Sequence, residues 1–387
     1  MKLRIGITGQ AGFVGTHLFN VAGLSPDLYD RIPFEDSFFS DEAALDRFVR
    51  SCDVIVHLAA VNRCDSESEL YETNLRLVRQ LVGAMESAGA TPHVIFSSSI
   101  QEDRDNVYGR SKREGRRLFE EWAARSGGEF TGLVIPNVFG PFGRPNYNSF
   151  VATFAHRLTH GETPVVQADS AVPLVYVGSL CEHILRFARG DFSGVRVQES
   201  APRVRCVRVP EDFTHKVTGV LRLFETWRDT YLARGEIPAL ADRNEVNLFN
   251  TFRSFIDIAA QGAVPLTLHS DPRGSFVETI RLRGGGQVSF STTHPGITRG
   301  EHYHTRKIER FTVMKGKALI RLRRVGTKDV VSFSIDGKCP AFVDIPVWYT
   351  HNVTNVGDED LYMQFWISEW YDPADADTYF EKVEPAP

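Results

Sequence analysis

A chain of 387 residues with 42% hydrophobic content is long for a single core and sufficient to fill two. Its formal net charge of −5 argues against a dedicated nucleic-acid binder, and no run of 18 or more apolar residues suggests a membrane span. The five cysteines are scattered with no C-x-x-C pair, which suggests neither a disulfide framework nor a thiolate zinc site, and "MKLRIGITG" enters a strand directly, so a cytoplasmic location is expected.

Residues 3 to 8, "LRIGIT", form a short apolar run that reads as a strand, and Gly9, Gly12 and Gly15 follow at three-residue steps before the helical pattern "FVGTHLFNVAG". A dinucleotide pyrophosphate needs such glycines, because it approaches the backbone closely at a helix N-terminus, where unpaired N–H groups favour negative charge. An acid that binds the ribose is expected about 20 residues past the glycines. The sequence there is "DLYDRIPFED": Asp30 suits NAD, whereas Arg31 accommodates a 2′-phosphate, and the reading adopted is NADP on Arg31.

"DVIVHLAA" (53 to 60) and "HVIFSSS" (93 to 99) are further strand-length apolar runs, so the segment alternates as strands and helices do in a doubly wound sheet. Tyr108 and Lys112 follow in "NVYGRSKREGRRLFEEWAAR", four apart and therefore on one helix face. A Tyr-x-x-x-Lys pair often arises by chance; the glycine loop and the cluster Ser97-Ser98-Ser99 give this one a context.

With these motifs the first part of the chain, about residues 1 to 245, resembles the extended short-chain dehydrogenase/reductase family, whose members mostly act on nucleotide sugars. The resemblance implies that Gly9, Gly12, Phe13, Val14 and Gly15 form the cofactor loop, that Leu58, Ala59 and Ala60 line the cofactor, and that Asn74 supports the site. It also places "IPNVFGPFGRPNYNS" and "PLVYVGSL" on the substrate side. Within it, Tyr108 is expected to give a proton to a developing alkoxide, Lys112 to lower the tyrosine pKa and hold the nicotinamide ribose, and Ser99 to polarise the carbonyl, with Ser98 as the rival.

From residue 203 a helix-like tail leads to a domain boundary near 245 to 255. Beyond it "GQVSFSTT", "ERFTVMKG", "KALIRLRRV" and "AFVDIPV" are short strands with turns, which predicts an all-β barrel or jelly roll over 255 to 387. Gly296, His302-x-His304, Glu309 and Gly316 match the first motif of the cupin superfamily, which this half resembles; Pro346, His351 and Asn355 match part of the second, with Trp348 in place of a glycine. His302, His304, Glu309 and His351 are the expected ligands of a divalent metal: zinc, nickel and iron suit such a set, and zinc is the choice.

The order of the two parts resembles the bifunctional capsular-polysaccharide enzymes of the CapF/WbjC type, through "ITGQAGFVG", "SSSIQ", "YGRSK", "PNYNSFVATF", "DPRGSFVE" and "DIPVWYTHNVTN" among others. That resemblance implies a UDP-linked 2-acetamido-2,6-dideoxy-4-hexulose as substrate, epimerised at C3 by the cupin half and reduced at C4 with NADPH by the other. A talose-type product for surface polysaccharide and a homodimer are implied as well. Tyr349, His304 and Glu301 are candidates for the epimerising base. Three other readings stand beside this one: a plain reductase with a sugar-binding or dimerising cupin, a non-catalytic nucleotide sensor, and a dehydratase or 4-epimerase that recycles bound NAD.

Overall fold

The computed structural model describes residues 2–272 and 274–384; Arg273 of the "DPRGSFVE" stretch and residues 385–387 of the expected second domain lie outside it. The chain forms two compact units, one of residues 1–151 and 168–217, the other of 152–167 and 218–387.

In the first unit, strands β1 (Leu3–Thr8), β2 (Tyr29–Ile32), β3 (Val54–His57), β4 (His93–Ser99) and β5 (Phe130–Ile135) lie parallel in the order β2-β1-β3-β4-β5. Strand Val204–Arg208 extends the sheet beside β5, also parallel, and Val197–Ala201 closes it antiparallel. All four residues of β3 are buried, as expected for a strand covered on both faces. Helices α1 (Phe13–Gly23), α2 (Glu42–Ser51), α3 (Glu67–Ala88) and α4 (Val107–Ser126) make the crossovers. Phe48, Leu81, Phe96, Phe119 and Trp122 fill the core between them and the sheet. Strand order reverses between β1 and β3, and in open sheets of this kind ligands bind outside the carboxyl ends of the strands at that point.

The second unit holds two five-stranded sheets. One runs in the order Val264–Pro265, Ala341–Ile345, Glu309–Lys315, Leu361–Ile367, Gln287–Thr293, and the other Val330–Asp336, Lys317–Arg324, Tyr349–Asn355, Thr298–Tyr303, Tyr379–Phe380. Phe311, Val313 and Met363 from the first meet Ile320, Leu322 and Val353 from the second in one core, the sandwich of a cupin-type jelly roll.

The stretch read as helical from residue 203 opens instead with strands Val204–Arg208 and Phe213–Lys216; helix begins only at Val217. Val204 and Val207 are buried in the main sheet, a use that apolar spacing alone does not separate from a helix. The expected boundary at 245–255 falls inside the second unit. There Tyr231 donates to Asp344 at 2.6 Å, Arg253 donates to the Tyr231 hydroxyl at 2.8 Å, and Arg310 pairs with Asp344 at 2.7 Å. This buried network ties the helical segment after 218 to the barrel strands.

Candidate active site and metal centre

The glycine loop after β1 is fixed by sterics. Gly9 has φ +68, and a Cβ there would lie 2.8 Å from the Ala59 nitrogen; at Gly15 it would lie 2.2 Å from the Gly9 carbonyl oxygen. Gly12 caps α1 without a side-chain hydrogen bond, and no acidic residue occupies the first turn where Phe13 and Val14 stand, which leaves that helix end electropositive. Leu58, Ala59 and Ala60 follow β3 directly, and Ala59 N donates to Thr8 Oγ1 at 3.3 Å, so the loops after β1 and β3 meet at the switch point. Asn74 accepts from Val61 N at 2.7 Å and donates to Ser111 Oγ at 3.1 Å; Ser111 in turn donates to the Tyr108 carbonyl at 2.8 Å. One buried amide thereby joins the cofactor-side loop to the Tyr108 turn.

Strand alternation separates the three serines. Ser98 points to the rear, where it donates to the buried Glu102 carboxylate, itself paired with Arg116 at 3.0 Å. Ser97 and Ser99 share the other face, and Lys112 Nζ reaches Ser97 Oγ at 3.4 Å. Lys112 Nζ also lies 5.7 Å from the centre of the Tyr108 ring, so Tyr108 and Lys112 gather beside Ser97 at the β4 end, on the face that alternation gives to Ser99 rather than Ser98; Ser99 also caps the following turn through Gln101 N at 3.2 Å. Gly109 is required next to Tyr108, because a Cβ would lie 2.0 Å from the Gln101 carbonyl oxygen.

Electrostatics here differ from the expectation that Lys112 lowers the tyrosine pKa. Burial, and after it Tyr147, pushes the Tyr108 phenol well above its ordinary value. Burial also pushes Lys112 down to about 7, with Glu102 opposing. Arg31 stands on the exposed edge strand β2, its guanidinium 4.2 Å from the Phe19 ring and donating to the Phe19 carbonyl at 3.0 Å, which turns it toward α1. Tyr147, from the "PNYNS" stretch, accepts from Asn62 N at 3.1 Å beside Tyr108; sequence reading assigned that stretch to substrate without singling out the residue.

In the second unit, one donor atom from each of His302, His304, Glu309 and His351 lies within 4.8 Å of the others. Glu309 Oε2 is 3.1 Å from His304 Nε2 and 3.2 Å from His351 Nε2, close enough for ion-pair contact, and the three buried atoms have no well-formed hydrogen bond. The outer nitrogens are occupied: Nδ1 of His304 donates to the Asp377 carbonyl at 2.5 Å, and Nδ1 of His351 to the Tyr349 carbonyl at 3.1 Å. That tautomer leaves each Nε2 as a lone-pair donor, the arrangement of a metal-ligating imidazole. Burial, then the neighbouring His351 and His304, pushes His302 down to about 4, so this ring is neutral near pH 7. Buried donors with no protons to share and no partners are a set that a divalent cation completes.

Motif glycines Gly296 and Gly316 have φ +76 and +88, in the left-handed region. Trp348 adopts φ +61, the conformation of the glycine it replaces, and is held there by burial and by stacking on Tyr303 at 5.6 Å. Of the candidate bases, Glu301 accepts from Asn352 Nδ2 and from Val383 N, each at 2.7 Å, and so has both oxygens engaged; His304 belongs to the cluster. Tyr349 opens the strand that carries His351, its phenol pushed up by burial.

Both parts of the chain are similar to known proteins. Residues 5–197 match the NAD dependent epimerase/dehydratase family and residues 269–379 the polysaccharide biosynthesis C-terminal domain. A UDP-2-acetamido-2,6-beta-L-arabino-hexul-4-ose reductase of Pseudomonas aeruginosa is 32% identical over 382 residues, covering 97% of this chain and 98% of the relative. The crystal structure of the capsular polysaccharide assembling protein CapF from Staphylococcus aureus covers 98% of this chain and 100% of its own, at 33% identity and a TM-score of 0.60. The chain belongs to the CapF/WbjC type. It is accordingly an enzyme of the nucleotide-sugar reductase/epimerase kind, with an epimerase-type domain followed by a polysaccharide-synthesis domain. RMD from Pseudomonas aeruginosa, solved with NADPH, is similar in fold alone, at 17% identity over 59% of this chain and 83% of its own, with a TM-score of 0.51. Among the described residues no helix is long and apolar enough to cross a membrane.

Proposed function

We propose that this enzyme converts a UDP-2-acetamido-2,6-dideoxy-4-hexulose to a talose-type UDP-sugar, with C3 epimerisation at the metal centre followed by NADPH-dependent reduction at C4. The observation that carries it is the pairing, in one chain, of a Ser-Tyr-Lys face beside a glycine loop with four convergent metal donors, three of them buried without a hydrogen-bond partner. Full-length similarity to a hexul-4-ose reductase supports the substrate class.

In the first unit the close-packed loop at Gly9, Gly12 and Gly15 fits a dinucleotide, and NADPH bound there would supply the hydride. Tyr108, kept protonated by burial, gives its proton to the oxygen at C4, and Ser99 orients that carbonyl. Lys112, poised near neutrality, holds the ribose and restores the phenolic proton.

In the second unit His302, His304, Glu309 and His351 would hold a divalent cation, zinc by donor type, which supplies Lewis-acid stabilisation of negative charge. The order of events is forced by chemistry. A C3 proton is acidic only while C4 is a carbonyl, so epimerisation precedes reduction. Tyr349, on the strand that carries His351, is the candidate adopted for the proton transfer; both oxygens of Glu301 are engaged by Asn352 and Val383. A homodimer belongs to the same reading, supported by the exposed apolar row Val288, Phe290, Met314 and Tyr362 on the second unit.

The test is NMR of product formed from the UDP-4-keto sugar with NADPH in deuterated water. Deuterium at C3 together with a new hydroxyl at C4 is expected. Reduction without C3 deuterium would leave a plain reductase.

A further inference from the structure

The last described residues pack against the metal-ligand strand. Tyr379–Phe380 pairs antiparallel with Thr298–Tyr303, Phe380 opposite His302 and Tyr379 opposite Tyr303. Just ahead stands Asp377, 4% exposed and at φ +43, a left-handed conformation that Asp tolerates better than most residues. Its carbonyl orients the His304 ring. Its carboxylate accepts four hydrogen bonds: from Thr305 N at 3.0 Å, Thr305 Oγ1 at 2.7 Å, Arg306 N at 3.0 Å and Lys307 N at 3.1 Å. Those amides belong to the turn that separates His304 from Glu309. Further on, Glu381 N donates to the Glu301 carbonyl at 3.0 Å and Val383 N to the Glu301 carboxylate at 2.7 Å. Glu301, at φ +63, is the residue skipped by the bulge that puts His302 opposite His351.

We infer that Asp377, with the strap that follows it to Glu384, is a positioning residue that presets His302, His304 and Glu309 for the cation. This rests on the metal centre proposed above. Outer hydrogen bonds fix the orientation of metal-bound imidazoles, and here one residue both aims the His304 ring and gathers three successive amides of the turn leading to Glu309. A carboxylate has about four lone-pair sites, so Asp377 is saturated by this single task. Without it the three amides lose their acceptor, the turn relaxes, and the 3.1 Å approach of His304 Nε2 to Glu309 Oε2 is no longer held.

The experiment uses the full chain with zinc as the probe, its affinity measured by competition with a chromogenic chelator. Asp377→Asn keeps the left-handed backbone and shape but turns an amide donor toward N–H groups; Asp377→Ala removes the acceptor altogether. Zinc affinity should fall about 10- to 100-fold in both, more in Asp377→Ala. Linkage is reciprocal, so zinc added to the unmodified chain should slow hydrogen exchange at the amides of Thr305, Arg306, Lys307 and Val383, an arm that needs no variant and decides the matter if both variants misfold. Failure of the unmodified chain to take up zinc would remove the metal reading itself. Zinc bound with unchanged affinity by folded variants, or exchange that zinc does not alter, would make the strap a structural cap and overturn the positioning role.

Discussion

Lys112 and the His302 cluster both place ionisable groups out of water, and they do so under opposite conditions. Lys112 is a single amine, 3% exposed, with Ser97 at 3.4 Å and the Phe96 and Tyr108 rings around it; burial brings its pKa down to about 7. At the metal centre the groups are plural and converge, and His304 Nε2, His351 Nε2 and Glu309 Oε2 face one another without hydrogen bonds. The first arrangement costs stability and yields a tuned amine. The second lacks a partner that a cation would supply, so removing a group costs chemistry but no stability in the first unit and is expected to cost both in the second.

The largest effect expected from breaking the first site is that of Tyr108→Phe. The ring and its packing remain while the proton donor is lost, so NADPH oxidation with the 4-keto sugar should fall about 10²- to 10⁴-fold with thermal stability unchanged. Undiminished oxidation would remove Tyr108 from its role.

The corresponding break in the second site is the double variant His302→Ala/His304→Ala. Zinc content and deuterium incorporation at C3 should both be lost, while NADPH binding in the first unit survives. Circular dichroism must accompany the assay, since a metal can contribute folding energy to the barrel. A folded, metal-free variant that still exchanges C3 at the original rate would reduce the cluster to a structural clamp.

A sharper contrast comes from Lys112→Met, which should abolish reduction and yet stabilise the ligand-free protein. In the folded state Lys112 titrates at about 7, against 10.5 for the ordinary side chain. Between those pH values the unfolded chain binds the extra proton, so stability rises with pH across that window and is weakest below it. Methionine removes the penalty, a gain on the order of a few kcal/mol near pH 7, and should flatten the rise. Denaturant titrations of both proteins at pH 7 and pH 9.5 measure it; parallel pH dependence would show that Lys112 is charged and paired in solution.

How much of this was legible in the sequence follows from how far apart the interacting groups are. Tyr108 and Lys112 share a helix face, and His302, His304 and Glu309 sit in one short motif, so spacing sufficed to find them. Ser98 was a fair rival to Ser99 until strand alternation sent it toward Glu102. Trp348 left the second motif's turn open, because a left-handed tryptophan depends on burial against Tyr303. Asp377 gave no signal at all: it acts through a backbone carbonyl and through amides of a turn 70 to 72 residues away, and neither has a residue-type signature. The burial that raises the Tyr108 phenol is illegible for a related reason, since a motif supplies neighbours but not how deeply they are buried.

The smallest expected effect concerns cofactor choice and Arg31. Its position on β2, in parallel register with β1, puts a guanidinium at the edge of the cofactor side, and no carboxylate pairs with it among the described residues. Its present contacts are the Phe19 carbonyl and ring on α1, interactions that a 2′-phosphate can outcompete because bidentate, charge-assisted hydrogen bonds are stronger than those to a neutral carbonyl. Arg31→Ala should therefore raise the KM for NADPH about tenfold, equivalent to roughly 1.4 kcal/mol, and leave that for NADH within about twofold. Arg31→Lys should recover part of the loss, since charge remains but the planar fork does not. Equal changes for both cofactors would mean that Arg31 serves only to hold β2 against α1, and selectivity would pass to Asp30, its neighbour within β2, or to Glu35 and Asp36 beyond the strand.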